Sequence, residues 1–342
     1  MKVKYYFYET MQQKSLGLVK RRNGILIGLS SLGYQVELIE ISRNNFVKRL
    51  RKELRVKFTK NTRENIIVFC EFDLRLFPIY LILNHKYSII DICDSKEKTL
   101  NLGSANLEWA ILRRLRTYLK RFLYTLVLRI VSKIFERTSY ISQEDLSNDI
   151  KLLKQNSDSI VLENGVHQEI LALGDLFSLE GNYITVGDWS YEPNIEMLQI
   201  VFRWAEECED IRKKGLRIHG PNLVDLDIPL YATYFPWVEN PAEIYRDAYA
   251  LLAPLISGAG VKNKVLESIA VGVPVAGTDE TFSGVQKSLL GTCFIVNPQD
   301  GRQIDEIIRS GIVDSRRLSA AKEMKEKTWE KTVKKAMDSW KL

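Results

Sequence analysis

The sequence predicts an α/β protein of two domains, each a parallel sheet with helices on both faces. Three observations carry this. The chain has 342 residues, more than one hydrophobic core usually serves. Short apolar runs alternate with helix-spaced segments from end to end, the pattern of repeated βαβ units. Several of the runs, NIIVFCEF (65–72) and YSIIDICD (87–94) among them, are nearly continuous in apolar residues and end in an acid. Strands buried on both faces of a parallel sheet read in that way. A content of 45% hydrophobic and 27% charged residues excludes a disordered chain.

The elements follow in order. VKYYFY (3–8) reads as a strand, GILIGLSSLG (24–33) as a helix and QVELIEI (35–41) as a strand, with a polar loop QQKSLGLVKRR (12–22) after the first strand. The runs 65–72 and 87–94 continue the sheet. Residues 107–137 read as one long helix with an apolar stripe of Ile111, Leu115, Leu119, Phe122, Leu126, Ile130 and Ile134 and with Arg113, Arg114, Arg116, Lys120 and Arg121 on other faces. Two uses of that stripe are open: packing on the helix's own sheet, or lying against anionic lipid. TSYISQEDL (138–146) is a strand with a following N-cap, and SIVLENGV (159–166) a strand and turn that closes the first domain.

A second series then begins. YITVGDW (183–189), LRIHG (216–220), TYFPWVEN (233–240), YALLAPL (249–255), VPVAGT (273–278) and CFIVN (293–297) read as strands with helices between them. The last 25 residues, with Trp329 and Trp340, read as a terminal amphipathic helix. The expected organisation is a first domain over 1–162, a linker over 163–180, a second domain over 181–324 and a C-terminal helix over 325–342.

Charge is unevenly placed. Up to residue 162 there are 29 Lys and Arg against 16 Asp and Glu; beyond it there are 20 against 27. The basic half suits an anionic partner such as phosphate or phospholipid. It lacks any nucleic-acid motif or basic–aromatic interleaving, so no nucleic acid is expected. The four cysteines are far apart, with no Cys-x-x-Cys pair, which points to a reducing compartment and away from zinc or disulfides. No signal peptide and no run long enough to span a membrane is read, so the chain is expected in the cytoplasm, or peripheral on the inner face of the plasma membrane. His85, His167 and His219 are too dispersed for a metal centre, and no metal or other cofactor is expected.

The stretch SGAGVKNKVLESIAVGVPVAGT (257–278) carries the most chemistry. A glycine-rich turn leads directly into a helix, whose free N–H groups favour an anion such as a diphosphate. Lys262 and Lys264 add positive charge, Asn263 a donor and an acceptor for sugar hydroxyls, and Glu267, one turn in, a carboxylate for a ribose diol. On spacing alone, a plain loop–helix junction with solvated lysines reads the same.

That stretch resembles the C-terminal signature of GT-B glycosyltransferases of the large retaining family 4 (glycosyltransferase group 1) class, in the subgroup with a Val-Lys-Asn-Lys signature. VENGVH (162–167), VGDWSYEPNIEML (186–198) and FPWVENPAEIYRDAYALLAPL (235–255) are similar to further stretches of that class in order and spacing. The resemblance covers most of residues 160–300 and only the general layout of the first half. It implies two Rossmann-like domains facing across a cleft, with the terminal helix packing back on the first. It also implies transfer of a sugar from a nucleoside diphosphate sugar to a glycan or lipid-linked acceptor, with retention, in surface polysaccharide or glycoconjugate synthesis.

On that resemblance the donor-binding candidates are Gly17, Gly187, Val238, Gly260, Val261, Lys262, Asn263 and Glu267. Gly17 would let the backbone approach the diphosphate, with Lys14, Lys20 and Arg21 neutralising its charge. Val238, beside Trp237, would meet the nucleobase. Asp94, at a strand end, and Lys262 are the catalytic candidates, Asp94 orienting the acceptor hydroxyl or accepting its proton. Asp94 is equally suited to cap a helix. The class pairs Glu267 with another glutamate eight residues earlier; this sequence has Ala259 there. That departure keeps open a catalytically silent partner of the same fold, or a module that only binds nucleotide sugars. A sugar-nucleotide epimerase, another occupant of the fold, needs acids and a histidine converging on the donor, and the sparse histidines weigh against it.

Overall fold

A computed structural model describes residues 1–8, 16–58, 66–83, 87–94, 110–135, 137–153, 158–223, 226–236, 238, 240–258 and 260–341. The chain divides into two compact units. One is Met1–Lys14, Ile25–Glu163 and Glu330–Leu342; the other is Ser15–Gly24 and Asn164–Trp329.

In the first unit, β1 (Lys2–Tyr8), β2 (Gln35–Ile41), β3 (Ile66–Glu71), β4 (Ser88–Cys93), β5 (Arg137–Tyr140) and β6 (Asp158–Val161) form a six-stranded parallel sheet in the order β2-β1-β3-β4-β5-β6. The continuous apolar run of β3 has its physical reason here: Ile67, Val68, Phe69 and Cys70 are all buried, on both faces. Tyr5 of β1 stacks on Phe69 with ring centroids 5.1 Å apart. Each such large side chain, fully removed from water, stabilises the fold by about 1.5–3 kcal/mol.

The long helix runs Ala110–Ile134, and the stripe read from the sequence is turned inward only in part: Ile134 packs on the core, and the side chains of Ile111 and Leu115 lie outside the described residues. Val127, Leu128 and Val131, with Phe135 just beyond, enter the core. Leu119, Phe122 and Leu126 of the stripe are exposed. At the chain's end, the helix Trp329–Ser339 buries Val333, Ala336 and Met337, and Trp340 follows it into the interior. Arg137, at the start of β5, donates from Nη2 to the Trp340 carbonyl at 3.0 Å. The last 25 residues are therefore not one helix. The chain is interrupted between the helices Asp314–Met324 and Trp329–Ser339, where the Val166 N–H donates to the Lys327 carbonyl at 2.9 Å and Val166 bridges Thr328.

In the second unit, β7 (Phe177–Val186), β8 (Leu216–His219), β9 (Ala232–Phe235), β10 (Ala248–Ala253), β11 (Val275–Gly277) and β12 (Cys293–Ile295) form a second six-stranded parallel sheet, in the order β12-β11-β10-β7-β8-β9. From β7 the chain moves outward through β8 and β9, then returns to start in the other direction at β10. The order therefore reverses between β7 and β10, which are hydrogen-bonded neighbours. In open parallel sheets, ligands bind outside the carboxyl ends of the strands at such a reversal. Every residue of β10 is buried, which fixes this axis of the unit.

Candidate functional site

The loops that follow β7 and β10 leave the sheet at that reversal. Gly187 sits at the end of β7, where its N–H donates to the His219 carbonyl of β8 at 3.0 Å. A Cβ on Gly220 would lie 1.8 Å from the Gly187 carbonyl oxygen, so only glycine permits this approach. The loops are tied by side chains: Ser257 Oγ donates to Glu196 Oε2 at 3.0 Å, across from the β10 loop to the helix Glu192–Glu207 that follows β7.

The glycine-rich turn leads into the helix Asn263–Ala270. Gly260 has φ of +69°, in the left-handed region that suits glycine. Lys262 is the N-cap but gives the helix no side-chain cap, so the first-turn N–H groups lack that partner. The Lys262 ammonium turns elsewhere: buried, it donates to the Gly260 carbonyl and to Glu280 Oε1, both at 2.8 Å. Val261 is half-buried and packs against the unit's core.

Glu267 is 5% exposed, and both its oxygens are engaged. Lys20 Nζ donates to Oε1 at 2.7 Å, and Tyr245 OH to Oε2 at 2.9 Å. Burial, with the Glu267 charge beside it, pushes the Tyr245 phenol well above its ordinary range, so it stays a protonated donor. Next to this pair runs a second chain of bonds. Arg21 Nη1 donates to Asn164 Oδ1, and Asn164 Nδ2 to Asn263 Oδ1, each at 2.7 Å. Lys264 has neutral partners: its ammonium donates to Asn194 Oδ1 at 3.2 Å and lies 3.5 Å from Met197 Sδ. Burial lowers its pKa to about 7, helped by the charges of Lys262 and Lys20 and opposed by Glu267. His167 is also lowered, chiefly by burial.

Of the side chains joined in this cluster, Lys20, Arg21, Lys262 and Lys264 are cationic, against the carboxylates of Glu267 and Glu280. Cationic side chains gathered at a helix N-terminus can hold an anionic group, and a buried carboxylate beside them can accept from a diol. Among the described residues no three of His, Cys, Asp and Glu converge as metal ligands.

The predicted residues are placed as follows. Gly260, Val261, Lys262, Asn263 and Glu267 lie together, and Gly187 is at the adjoining strand end, where a Cβ would meet Asn194 Cγ at 3.0 Å. Gly17 falls not in a loop but in the first turn of a helix that runs Leu16–Ser31, the helix that carries Lys20 and Arg21. Val238 is half-buried just past β9 and is not among the bonded residues of the cluster. Asp94 belongs to the first unit, half-buried at the carboxyl end of β4, with the Cys93 thiol 3.4 Å from its Oδ1. Nearby, Glu71 is committed to Tyr5 OH at 3.2 Å. Lys14, Trp237 and Ala259 lie outside the described residues.

Sequence reasoning did not single out Tyr245, Asn164, Asn194 or Glu280. Nothing local marks Tyr245 or Glu280, since their partners are 22 and 18 residues away. Asn164 had a signal, the Asn-Gly turn after β6. His219 was weighed only as a metal ligand; it is buried and stacked on Phe235, and neither ring nitrogen has a hydrogen-bond partner among the described residues. Its burial lowers its pKa to about 4, with Arg217 adding to the effect.

No protein-family model matches the chain, and no curated protein matches it in sequence. Solved structures match it along its whole length. Sucrose-phosphate synthase from Thermosynechococcus elongatus superposes with a TM-score of 0.67 at 12% identity, over 99% of this chain and 98% of the other. A glycosyltransferase from Rickettsia africae gives 0.66 at 11%, over 99% and 97%. HepE of Anabaena, solved with UDP-glucose, gives 0.62 at 10%, over 99% and 100%. At such identities what is shared is the fold.

Proposed function

The chain has the GT-B fold, and from that premise we propose that it transfers a sugar from a nucleoside diphosphate sugar to a hydroxyl of a glycan or lipid-linked acceptor. The transfer proceeds with retention and without a metal, in the synthesis of a surface polysaccharide or glycoconjugate. One observation carries the reading: the buried Glu267 carboxylate beside an uncapped helix N-terminus, at the reversal of strand order in the second sheet. The helix N–H groups take the diphosphate, with the backbone of Gly260 and Val261 close by, and Glu267 accepts from the ribose diol. Asn263 meets the donor sugar, Gly187 borders the pocket, and Val238 meets the nucleobase.

Lys20 has a particular part. Its ammonium occupies Glu267 Oε1, a place the ribose diol requires. It is 40% exposed at the side chain and can swing from the carboxylate to the diphosphate. Donor binding then exchanges one charge pairing for another, and the leaving diphosphate is stabilised by cations that are already in place. Lys262 and Gly17 support the same group, and Asp94 orients the acceptor hydroxyl. The UDP-glucose bound to HepE makes uracil the first base to try.

The test is a thermal-shift series with UDP, GDP, ADP, dTDP and CMP, on the protein and on Glu267→Gln. A ligand at about 100 times its Kd adds roughly 2.7 kcal/mol to the folded state. The expected result is stabilisation by one nucleoside diphosphate, lost in the variant. If none of the five raises the melting point of the parent protein, the donor site is abandoned and the silent-partner reading takes its place.

A further inference from the structure

The helix Ala110–Ile134 presents large apolar side chains to water. Tyr118 is 68% exposed, Leu119 58%, Phe122 64%, and Leu123 and Leu126 each 43%. At 100° per residue these five fall within one arc of the helix surface. Val127, Leu128 and Val131, which enter the core, fall on the opposite side. The helix is thus apolar on two faces, and its own sheet needs only one. A helix apolar all round is normally buried all round, and a contiguous exposed patch of this kind marks a docking surface.

Charge identifies the occupant. The helix carries seven Lys and Arg and no Asp or Glu: Arg113, Arg114, Arg116, Lys120, Arg121, Arg129 and Lys133. Arg129 and Lys133 are exposed and continue the same arc toward the helix C-terminus. A second copy of this helix would bring like charges together and is disfavoured. No helix among the described residues is long and apolar enough to cross a membrane, so a bilayer would be met from its surface.

We propose that the face formed by Tyr118, Leu119, Phe122, Leu123 and Leu126 lies in the headgroup region of an anionic lipid leaflet, its apolar side chains inserted and Arg129 and Lys133 on the lipid phosphates. An amphipathic helix in the plane of the interface binds by buried apolar area together with attraction to anionic lipid. All these residues belong to the first unit and none is in the candidate donor site, so this proposal and the donor reading can fail separately.

The experiment is flotation of the full chain with vesicles of phosphatidylcholine alone and of an equal mixture with phosphatidylglycerol, at low and high salt. The protein is expected to float with the mixed vesicles at low salt and much less at high salt or with phosphatidylcholine alone. Phe122→Ser combined with Leu126→Ser is expected to lower partitioning by roughly tenfold or more. Both positions are exposed, so circular dichroism should report an unchanged fold. A single Tyr118→Trp variant gives a second readout, a blue shift of its fluorescence on mixed vesicles. Absence of flotation at low salt overturns the proposal, as does undiminished flotation of the double variant. A dimer in sedimentation that the double variant dissociates would assign the face to a second copy instead.

Discussion

Lys20 and Lys264 both feel the Glu267 carboxylate, yet they are held differently. Lys20 is in direct contact with it and part-exposed, whereas Lys264 bonds only neutral atoms, Asn194 Oδ1 and Met197 Sδ, and burial lowers its pKa to about 7. A lysine in the unfolded chain ionises near roughly 10.4. Between those two values the unfolded chain binds more protons than the folded one, so this group makes stability rise with pH across that window, by up to about 1.4 kcal/mol per unit. Below about pH 7 the lysine is charged in both states and its burial weighs fully against the fold. Lys264→Met is expected to flatten the rise in unfolding free energy between pH 7 and pH 10, measured by urea titration at several pH values. An equal slope in parent and variant would mean that other groups set it. An anion bound beside Lys264 favours its charged form, so nucleotide binding near neutral pH should take up protons.

At the scale of the element, the first helix shows where a sequence reads poorly. Leu16–Ser31 has no acidic residue in its first turn, and Lys20, Arg21 and Arg22 stand in its N-terminal half, where the helix dipole disfavours cations. Judged locally that segment reads as loop. Its reason for being helical is tertiary: Lys20 finds Glu267 and Arg21 finds Asn164, both more than a hundred residues away. The early start of β7 at Phe177 is similar. Gly181 reads as a break, but a Cβ there would lie 2.2 Å from the Asp247 carbonyl, so the glycine allows the strand a close approach to its neighbour. The strands themselves were legible because burial on both faces leaves continuous apolar runs. Gly24, within the first helix, gives a test of competing terms. Alanine in a helix is worth up to about 1 kcal/mol over glycine. Here the added Cβ would sit 2.0 Å from Trp329 Cε2. Trp329 is itself buried, and overpacking costs about 1–3 kcal/mol. Gly24→Ala is expected to lower the urea midpoint; a raised midpoint would mean that Trp329 moves aside without strain.

For the whole molecule, the two sheets and the basic first half could be read from the residues, and the strand order could not. Order depends on which neighbours pair across crossovers, and nothing in a strand's own sequence specifies that. The terminal tryptophans did hint that the end of the chain is anchored. Trp340 is buried and its carbonyl accepts from Arg137. Removal of residues 330–342 takes away the buried Val333, Ala336, Met337 and Trp340 together and uncovers the surface they pack on. At about 1.5–3 kcal/mol for each large side chain, this is expected to destabilise the first unit by several kcal/mol. Calorimetry should show a markedly lowered melting temperature, and limited proteolysis should cut within residues 25–163. An unchanged melting temperature would mean that the terminal helix only rests on that unit.

The same anchoring sets the order of events during synthesis. The first unit is complete only when Glu330–Leu342 has been made, and all of Asn164–Trp329 must be translated in between. At roughly 5–20 residues per second, that interval is on the order of ten seconds or more. Through it the nascent N-terminal half waits with part of its core uncovered, long after its own six strands have left the ribosome. This half is the stretch of the chain that a chaperone would have most reason to hold.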